Sequence, residues 1–161
     1  MIRVAIVEDE LIAAEHLVKV MEDFTEPVII DKIVSSVKEA VTYFENSPAV
    51  DIIFMDIHLS DGKSFEIFEL TTIKAPVVFV TTYEQFTLEA FKHNGIEYIL
   101  KPYEADAIHQ ALQKFRQYQS VMTKEMLTAL KVLGNEKSKR KIIVVNKGTD
   151  FRIIQISSIA Y

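Results

Sequence analysis

With 161 residues the chain has room for one domain of ordinary size and a small remainder, not for two full-sized domains. An apolar fraction of 49% and a charged fraction of 25% exclude wholesale disorder and a membrane-spanning bundle, and the lack of cysteine excludes disulfides, thiolate-bound metal and thiol catalysis. The net charge of −5 divides unevenly: residues 1–120 carry 10 Lys and Arg against 20 Asp and Glu, and residues 121–161 carry 8 against 3, an acidic body with a basic tail.

The opening Met1-Ile-Arg-Val-Ala-Ile-Val meets Glu8, Asp9 and Glu10 before a signal-peptide apolar region reaches its usual length, and no apolar run approaches a membrane span. A cytoplasmic location without membrane attachment is expected. Short β-branched and aliphatic runs follow at Val4–Val7, Val28–Val34, Ile52–Met55, Val77–Val80 and Tyr98–Leu100, their starts 24, 24, 25 and 21 residues apart. Each reads as apolar on both faces, the pattern of a parallel strand covered by helices on either side. Between them lie helical spacings: Leu11, Ala14, Leu17, Val18 and Met21; then Val37, Ala40, Val41 and Phe44; then Phe65 and Phe68; then Phe86, Ala90 and Phe91, which Asn94-Gly95 should stop.

Alternating strands and helices over about 120 residues predict an α/β domain with a doubly wound five-stranded parallel sheet, flavodoxin-like in its order 2-1-3-4-5. A helical linker and an incomplete β-rich segment should follow. From Ile108 the apolar positions Leu112, Phe115, Met122, Met126, Ala129 and Leu133, with Gln119 as the polar interruption, keep a heptad seam. The expected arrangement is a closing helix to about Tyr118 and then a separate amphipathic helix; one continuous, self-associating helix is the alternative. Gly134–Arg140 reads as a basic linker, and Lys141–Asn146, a turn at Lys147–Asp150 and Phe151–Ile154 as a hairpin, with a further element from Ile156. The expected division is residues 1–120, a linker over 121–140 and the start of a second β-rich domain over 141–161.

In such a sheet the working site lies beyond the carboxyl ends of the strands, so the residues after each run carry the chemistry. The first run ends in Glu8-Asp9-Glu10 and the third in Asp56, on neighbouring strands. Two carboxylates about 4 Å apart repel by roughly 4 kcal/mol at an effective dielectric near 20, so Glu8, Asp9 and Asp56 together call for a cation or a raised pKa. Hard oxygen donors without thiols or clustered imidazoles suit Mg²⁺. Glu8 and Asp9 alone would read equally well as solvated acids at a helix start. The fourth run ends in Thr81-Thr82 and the fifth in Lys101-Pro102, where Lys101 has an acidic pocket to enter. His58 is expected to be a solvent-facing loop residue, and Ser60-Asp61-Gly62 a turn into the third helix.

Taken in order, Glu8-Asp9, Asp56, Thr81, Tyr98 and Lys101-Pro102 resemble the receiver domain of two-component response regulators over residues 1–120. Residues 139–161, with Lys141-Ile-Ile-Val-Val, are similar to the opening of a LytTR-type DNA-binding domain. The resemblance implies that Asp56 accepts a phosphoryl group from a sensor histidine kinase. It implies Mg²⁺ held by Asp9 and Asp56 directly, by Glu8 through water and by the backbone carbonyl of His58. Lys101 would neutralise phosphoryl charge, and Pro102 would follow a cis bond. Thr81 would be drawn toward the new phosphoryl oxygens and Tyr98 would turn inward, changing a helix-four, strand-five, helix-five surface used for homodimerisation. Thr82, where the family often has a smaller residue, could compete with Thr81. DNA would be bound by a longer protein, and by this chain only weakly and without sequence preference. A Mg²⁺-dependent phosphohydrolase with Asp56 as nucleophile is the alternative; a flavin site is rejected because Glu8-Asp9-Glu10 would repel phosphate.

Overall fold

The computed structural model describes residues 1–129 with their side chains and the backbone of 130–135, 141–147 and 150–156. Its elements in chain order are β1 (Ile2–Val7), α1 (Leu11–Glu22), β2 (Val28–Val34), α2 (Val37–Glu45), β3 (Ile52–Met55), β4 (His58–Leu59), β5 (Gly62–Lys63) and α3 (Phe65–Leu70). They continue as β6 (Val77–Thr81), α4 (Thr87–Lys92), β7 (Gly95–Leu100), α5 (Ala105–Asn135), β8 (Lys141–Lys147) and β9 (Asp150–Ile156). β2, β1, β3, β6 and β7 form one parallel sheet in that order, which is the expected topology. The short pair β4–β5 was not foreseen; it is too short to leave a periodic signal.

The period of two along a strand divides the core between the two faces of the sheet. Ile2, Val4 and Ile6 of β1 pack with Ala14, Leu17 and Met21 of α1 and with Ile108, Leu112 and Phe115 of α5. Ala5 and Val7 face the other way, with Val37, Ala40 and Phe44 of α2, Phe65 and Ile67 of α3 and Ala90 of α4. Burying each large apolar side chain stabilises by about 1.5–3 kcal/mol, so both layers are needed to hold the sheet. β1, β3 and β6 are buried almost throughout, as continuous apolar runs predict. β2 departs from that reading: it is an edge strand of the sheet, and Ile29 and Ile33 are exposed.

Local signals place the ends. Ser36 caps α2 by accepting the Glu39 N–H at 3.1 Å. α4 stops before Asn94, which takes a positive φ of 59°. Gly95 is required there, since a Cβ at that position would lie 2.5 Å from the Ala90 carbonyl oxygen.

The chain divides into two compact units, Met1–Phe115 and Arg116–Tyr161. In the second, the expected break near Tyr118 is absent: α5 is one helix of 31 residues, because neither Gly nor Pro interrupts residues 105–133. Met122 and Met126 on the heptad seam are exposed. β8 and β9 pair antiparallel from Lys141↔Ile156 to Lys147↔Asp150, the hairpin the sequence pattern predicts. The linker over 136–140, the turn at 148–149 and the element expected beyond Ile156 lie outside the described residues. Among the described residues no helix is long and apolar enough to cross a membrane.

Candidate functional site

Backbone hydrogen bonds bring four chain exits to one rim of the sheet. The Glu8 N–H donates to the Val34 carbonyl at 2.9 Å, the Asp56 N–H to the Val7 carbonyl at 2.9 Å and the Lys101 N–H to the Thr81 carbonyl at 2.8 Å. Residues that follow a strand directly cannot move far from its end. Glu8, Asp56, Thr81 and Lys101 are therefore neighbours by sheet register, although up to 93 residues separate them in sequence.

The side chains then meet. Lys101 Nζ donates to Asp56 Oδ2 at 2.6 Å and to Glu8 Oε2 at 2.7 Å. Asp56 Oδ1 accepts the Ile57 N–H at 2.6 Å and the His58 N–H at 3.3 Å, so both carboxylate oxygens are oriented. The Glu8 side chain is only 1% exposed, those of Asp56 and Lys101 11% and 15%. Burial pushes the Glu8 carboxyl above the ordinary carboxylate range despite the Lys101 ammonium beside it. Burial also works against the charge of Lys101, but its hydrogen bonds to Asp56 and Glu8 outweigh this and hold its pKa above the ordinary lysine range.

In this geometry Lys101 bridges two of the three carboxyl groups expected at the rim. Among the described residues no three acidic or imidazole side chains gather closely enough to hold a metal by themselves. Glu8 and Asp56 are bridged by Lys101, and Asp9, the residue after Glu8, is half-buried. The donor chemistry still suits Mg²⁺, a cation that retains waters and needs only one or two carboxylates. The ligands that the resemblance implies, Glu8, Asp9, Asp56 and the His58 carbonyl, would offer hard oxygens alone. A further sign of an oxyanion partner is Thr81, which is wholly buried and whose Oγ1 has no hydrogen-bond partner among the described residues.

The remaining predicted residues fall as follows. Thr82 is exposed, which separates it from Thr81. The Tyr98 ring is half-buried against the α2–α3–α4 layer and its hydroxyl donates to the Tyr83 carbonyl; burial pushes its pKa up. The Lys101–Pro102 bond is cis, as expected. His58 is not a solvent-facing loop residue. Its ring centroid lies 4.0 Å from that of Tyr83 and 5.6 Å from that of Phe86, and its Nδ1 is buried. Aromatic stacking on residues 25 and 28 positions away has no periodic signature.

Sequence reasoning also missed Tyr103, whose hydroxyl lies 3.2 Å from His16 Nδ1 and whose pKa burial pushes up to about 12. Its position directly after Lys101-Pro102 is the signal that could have found it. Asp61, read as part of a turn, does lie in the β4–β5 turn but also reaches the start of α2.

Comparison with known proteins agrees with this geometry. Residues 4–113 match the response regulator receiver domain family. The chain is 38% identical over 120 residues to the sensory transduction protein LytT of Bacillus anthracis, covering 72% of this chain and 48% of that protein. It is 30% identical over 168 aligned positions to the sensory transduction protein LytR of Staphylococcus saprophyticus, covering 98% of this chain and 65% of that one. The chain thus spans about half the length of the first of these relatives. Among solved structures, the response regulatory domain of protein mrkE from Klebsiella pneumoniae superposes with a TM-score of 0.62 at 29% identity, over 71% of this chain and 95% of that domain. The strand-end residues, the sheet order and these matches together mean that the chain belongs to the response regulator receiver domain family.

Proposed function

We propose that this chain is the phosphoacceptor part of a cytoplasmic LytT/LytR-type response regulator, with Asp56 receiving a phosphoryl group from a sensor histidine kinase. The observation that carries this reading is the Lys101 ammonium bridging Asp56 and Glu8 at 2.6 and 2.7 Å on the rim where the Thr81 hydroxyl is buried without a partner. An Asp56 carboxylate oxygen forms the new P–O bond as the P–N bond of the donor phosphohistidine breaks, and the imidazole nitrogen leaves with the electron pair. Lys101 is free to follow the added negative charge, and the Thr81 hydroxyl offers a hydrogen bond to a phosphoryl oxygen. Glu8, Asp9, Asp56 and the His58 carbonyl would hold Mg²⁺, which would supply charge neutralisation when bound.

The output follows from the same rim. A Thr81 hydroxyl engaged by a phosphoryl oxygen and the half-buried Tyr98 ring, whose hydroxyl donates to the Tyr83 carbonyl, form one two-state element, and its readout is the face made by α4, β7 and α5. Phosphorylation favours homodimerisation through this face. Residues 141–161 begin a LytTR-type domain through which the longer protein binds DNA. The activity is that of a switch with at most slow self-dephosphorylation.

Intact mass after incubation with Mg²⁺ and acetyl phosphate tests the assignment. A Mg²⁺-dependent gain of one phosphoryl group, lost in Asp56→Asn, is expected. A folded protein that takes up none, or an Asp56→Asn variant that still does, would overturn it.

A further inference from the structure

Of the β4–β5 hairpin that follows Asp56, the phosphoacceptor chemistry uses only main-chain groups of His58. His58 pairs with Lys63 and Leu59 with Gly62 across the Ser60-Asp61 turn. Two-residue strands cannot hold a hairpin by themselves, so its place is set by what anchors it. Leu59 is buried in the core and the Ser64 N–H donates to the Ile57 carbonyl at 2.8 Å, which fixes the base. The turn is fixed by Asp61. Its Oδ1 accepts the Val37 N–H at 2.7 Å and its Oδ2 the Lys38 N–H at 3.1 Å.

Those amides are the first of α2 and have no partner within the helix. α2 thus carries two caps, its own Ser36 on the Glu39 N–H and a carboxylate borrowed from 24 residues away. Burial works against the charge of the Asp61 carboxylate, but the backbone N–H groups of Lys38, Val37 and Asp61 itself outweigh this and hold the carboxyl below its ordinary range. The hairpin's other edge lies against the loop after β6, where His58 stacks on Tyr83 and the Lys63 ammonium lies 4.5 Å over the Phe86 ring.

We propose that Asp61 is a positioning residue for the phosphoacceptor site: by pinning the hairpin turn to α2, it fixes the His58 main chain beside Asp56, where the His58 carbonyl serves a divalent cation. This rests on the functional reading above. Asp61 touches neither the phosphoryl group nor the cation. It acts through β4, whose first residue shares Asp56 Oδ1 through its N–H. Residues that orient a ligand from behind are commonly worth about 10-fold or more in metal affinity.

The test uses the full 161-residue chain and three variants, Asp61→Ala, Asp61→Asn and Ser36→Ala. The readouts are Mg²⁺ titration by calorimetry without phosphodonor, metal-free amide hydrogen exchange over residues 57–64, thermal midpoint and phosphorylation by acetyl phosphate. Asp61→Ala should weaken Mg²⁺ about 10-fold and speed exchange in the hairpin. Asp61→Asn, which keeps an accepting oxygen, should recover most of both and remains informative if the alanine variant does not fold. Ser36→Ala weakens the same helix start without touching the hairpin, so it should lower the thermal midpoint and leave Mg²⁺ affinity within about twofold.

The inference falls if Asp61→Ala binds Mg²⁺ like the parent, if Ser36→Ala weakens Mg²⁺ as much, or if Asp61→Asn is as impaired as the alanine variant, which would assign the effect to charge. A parent chain that binds no Mg²⁺ and takes up no phosphoryl group would instead overturn the functional reading and this inference with it.

Discussion

Two charge clusters in the first unit are built from similar parts and behave differently. At the edge of the sheet, Arg3 pairs with Asp31, and Tyr43 donates to Asp31 Oδ2 at 2.6 Å. Tyr43 first and Arg3 second hold the Asp31 carboxyl below its ordinary range. Every strong group there has a partner, and Arg3 is 43% exposed. At the carboxyl rim, Lys101 joins Glu8 and Asp56 in a nearly dry setting, Glu8 is pushed up by burial and the Thr81 hydroxyl has no partner among the described residues. The first cluster ties β1, β2 and α2 together. The second stores unsatisfied polarity beside a carboxylate, an arrangement that stability alone does not require and that an added anion can relieve.

Substitutions can sharpen that contrast. The largest effect is expected at Asp56: Asp56→Asn should abolish phosphorylation by acetyl phosphate in an intact-mass assay, while Asp31→Asn should leave the rate within about twofold, since Asp31 only stabilises the fold. Next, Lys101→Met leaves two buried carboxyl groups without their cation, and breaking such a pair costs about 3–5 kcal/mol. Urea denaturation should show this loss near neutral pH and a smaller one in acid, where the carboxyls protonate. Equal loss at both pH values would show that packing rather than charge sets the cost. The smallest effect belongs to the edge cluster, where Tyr43→Phe removes one hydrogen bond and should cost about 1 kcal/mol with phosphorylation unchanged.

The two clusters should also fail at opposite ends of the pH scale. Asp31 has a lowered folded pKa, so its stabilisation is complete above the unfolded value near about 4 and is lost as pH falls through the lower folded value. Lys101 has a raised folded pKa, so its contribution is present below the unfolded value of about 10.4 and is lost as pH rises through the folded one. Glu8, raised in the folded state, makes stability fall as pH climbs from its unfolded value of about 4.3 through its folded one. Stability curves of the parent, Asp31→Asn and Lys101→Met from acid to alkali would check these signs. Asp31→Asn should flatten the acid limb alone, whereas Lys101→Met should flatten the alkaline limb and cost more near neutral pH than in acid.

Much of the fold was legible because strands and helices announce themselves by period. The five runs were placed within a few residues, and the order of the sheet follows from right-handed crossovers. Where pattern and environment separate, the reading failed. β2 carries five apolar residues, as β1 does, yet Ile29 and Ile33 are exposed because β2 is an edge. The heptad seam of α5 is likewise uniform in sequence, but Ile108, Leu112 and Phe115 are buried while Met122 and Met126 are exposed. Periodicity reports which residues share a face and says nothing about what lies opposite it.

What the sequence by itself determined is the identity and height of the rim residues. Glu8, Asp56, Thr81 and Lys101 each follow a strand that the pattern locates, so their meeting is a consequence of register. What only the tertiary structure decided is how they pair: the Lys101 ammonium on one oxygen each of Glu8 and Asp56, His58 against Tyr83, and Asp61 on the first amides of α2. These contacts join residues 23 to 93 positions apart through side-chain reach, burial and unpaired backbone donors. None of those quantities repeats along the chain, and so none leaves a pattern in it.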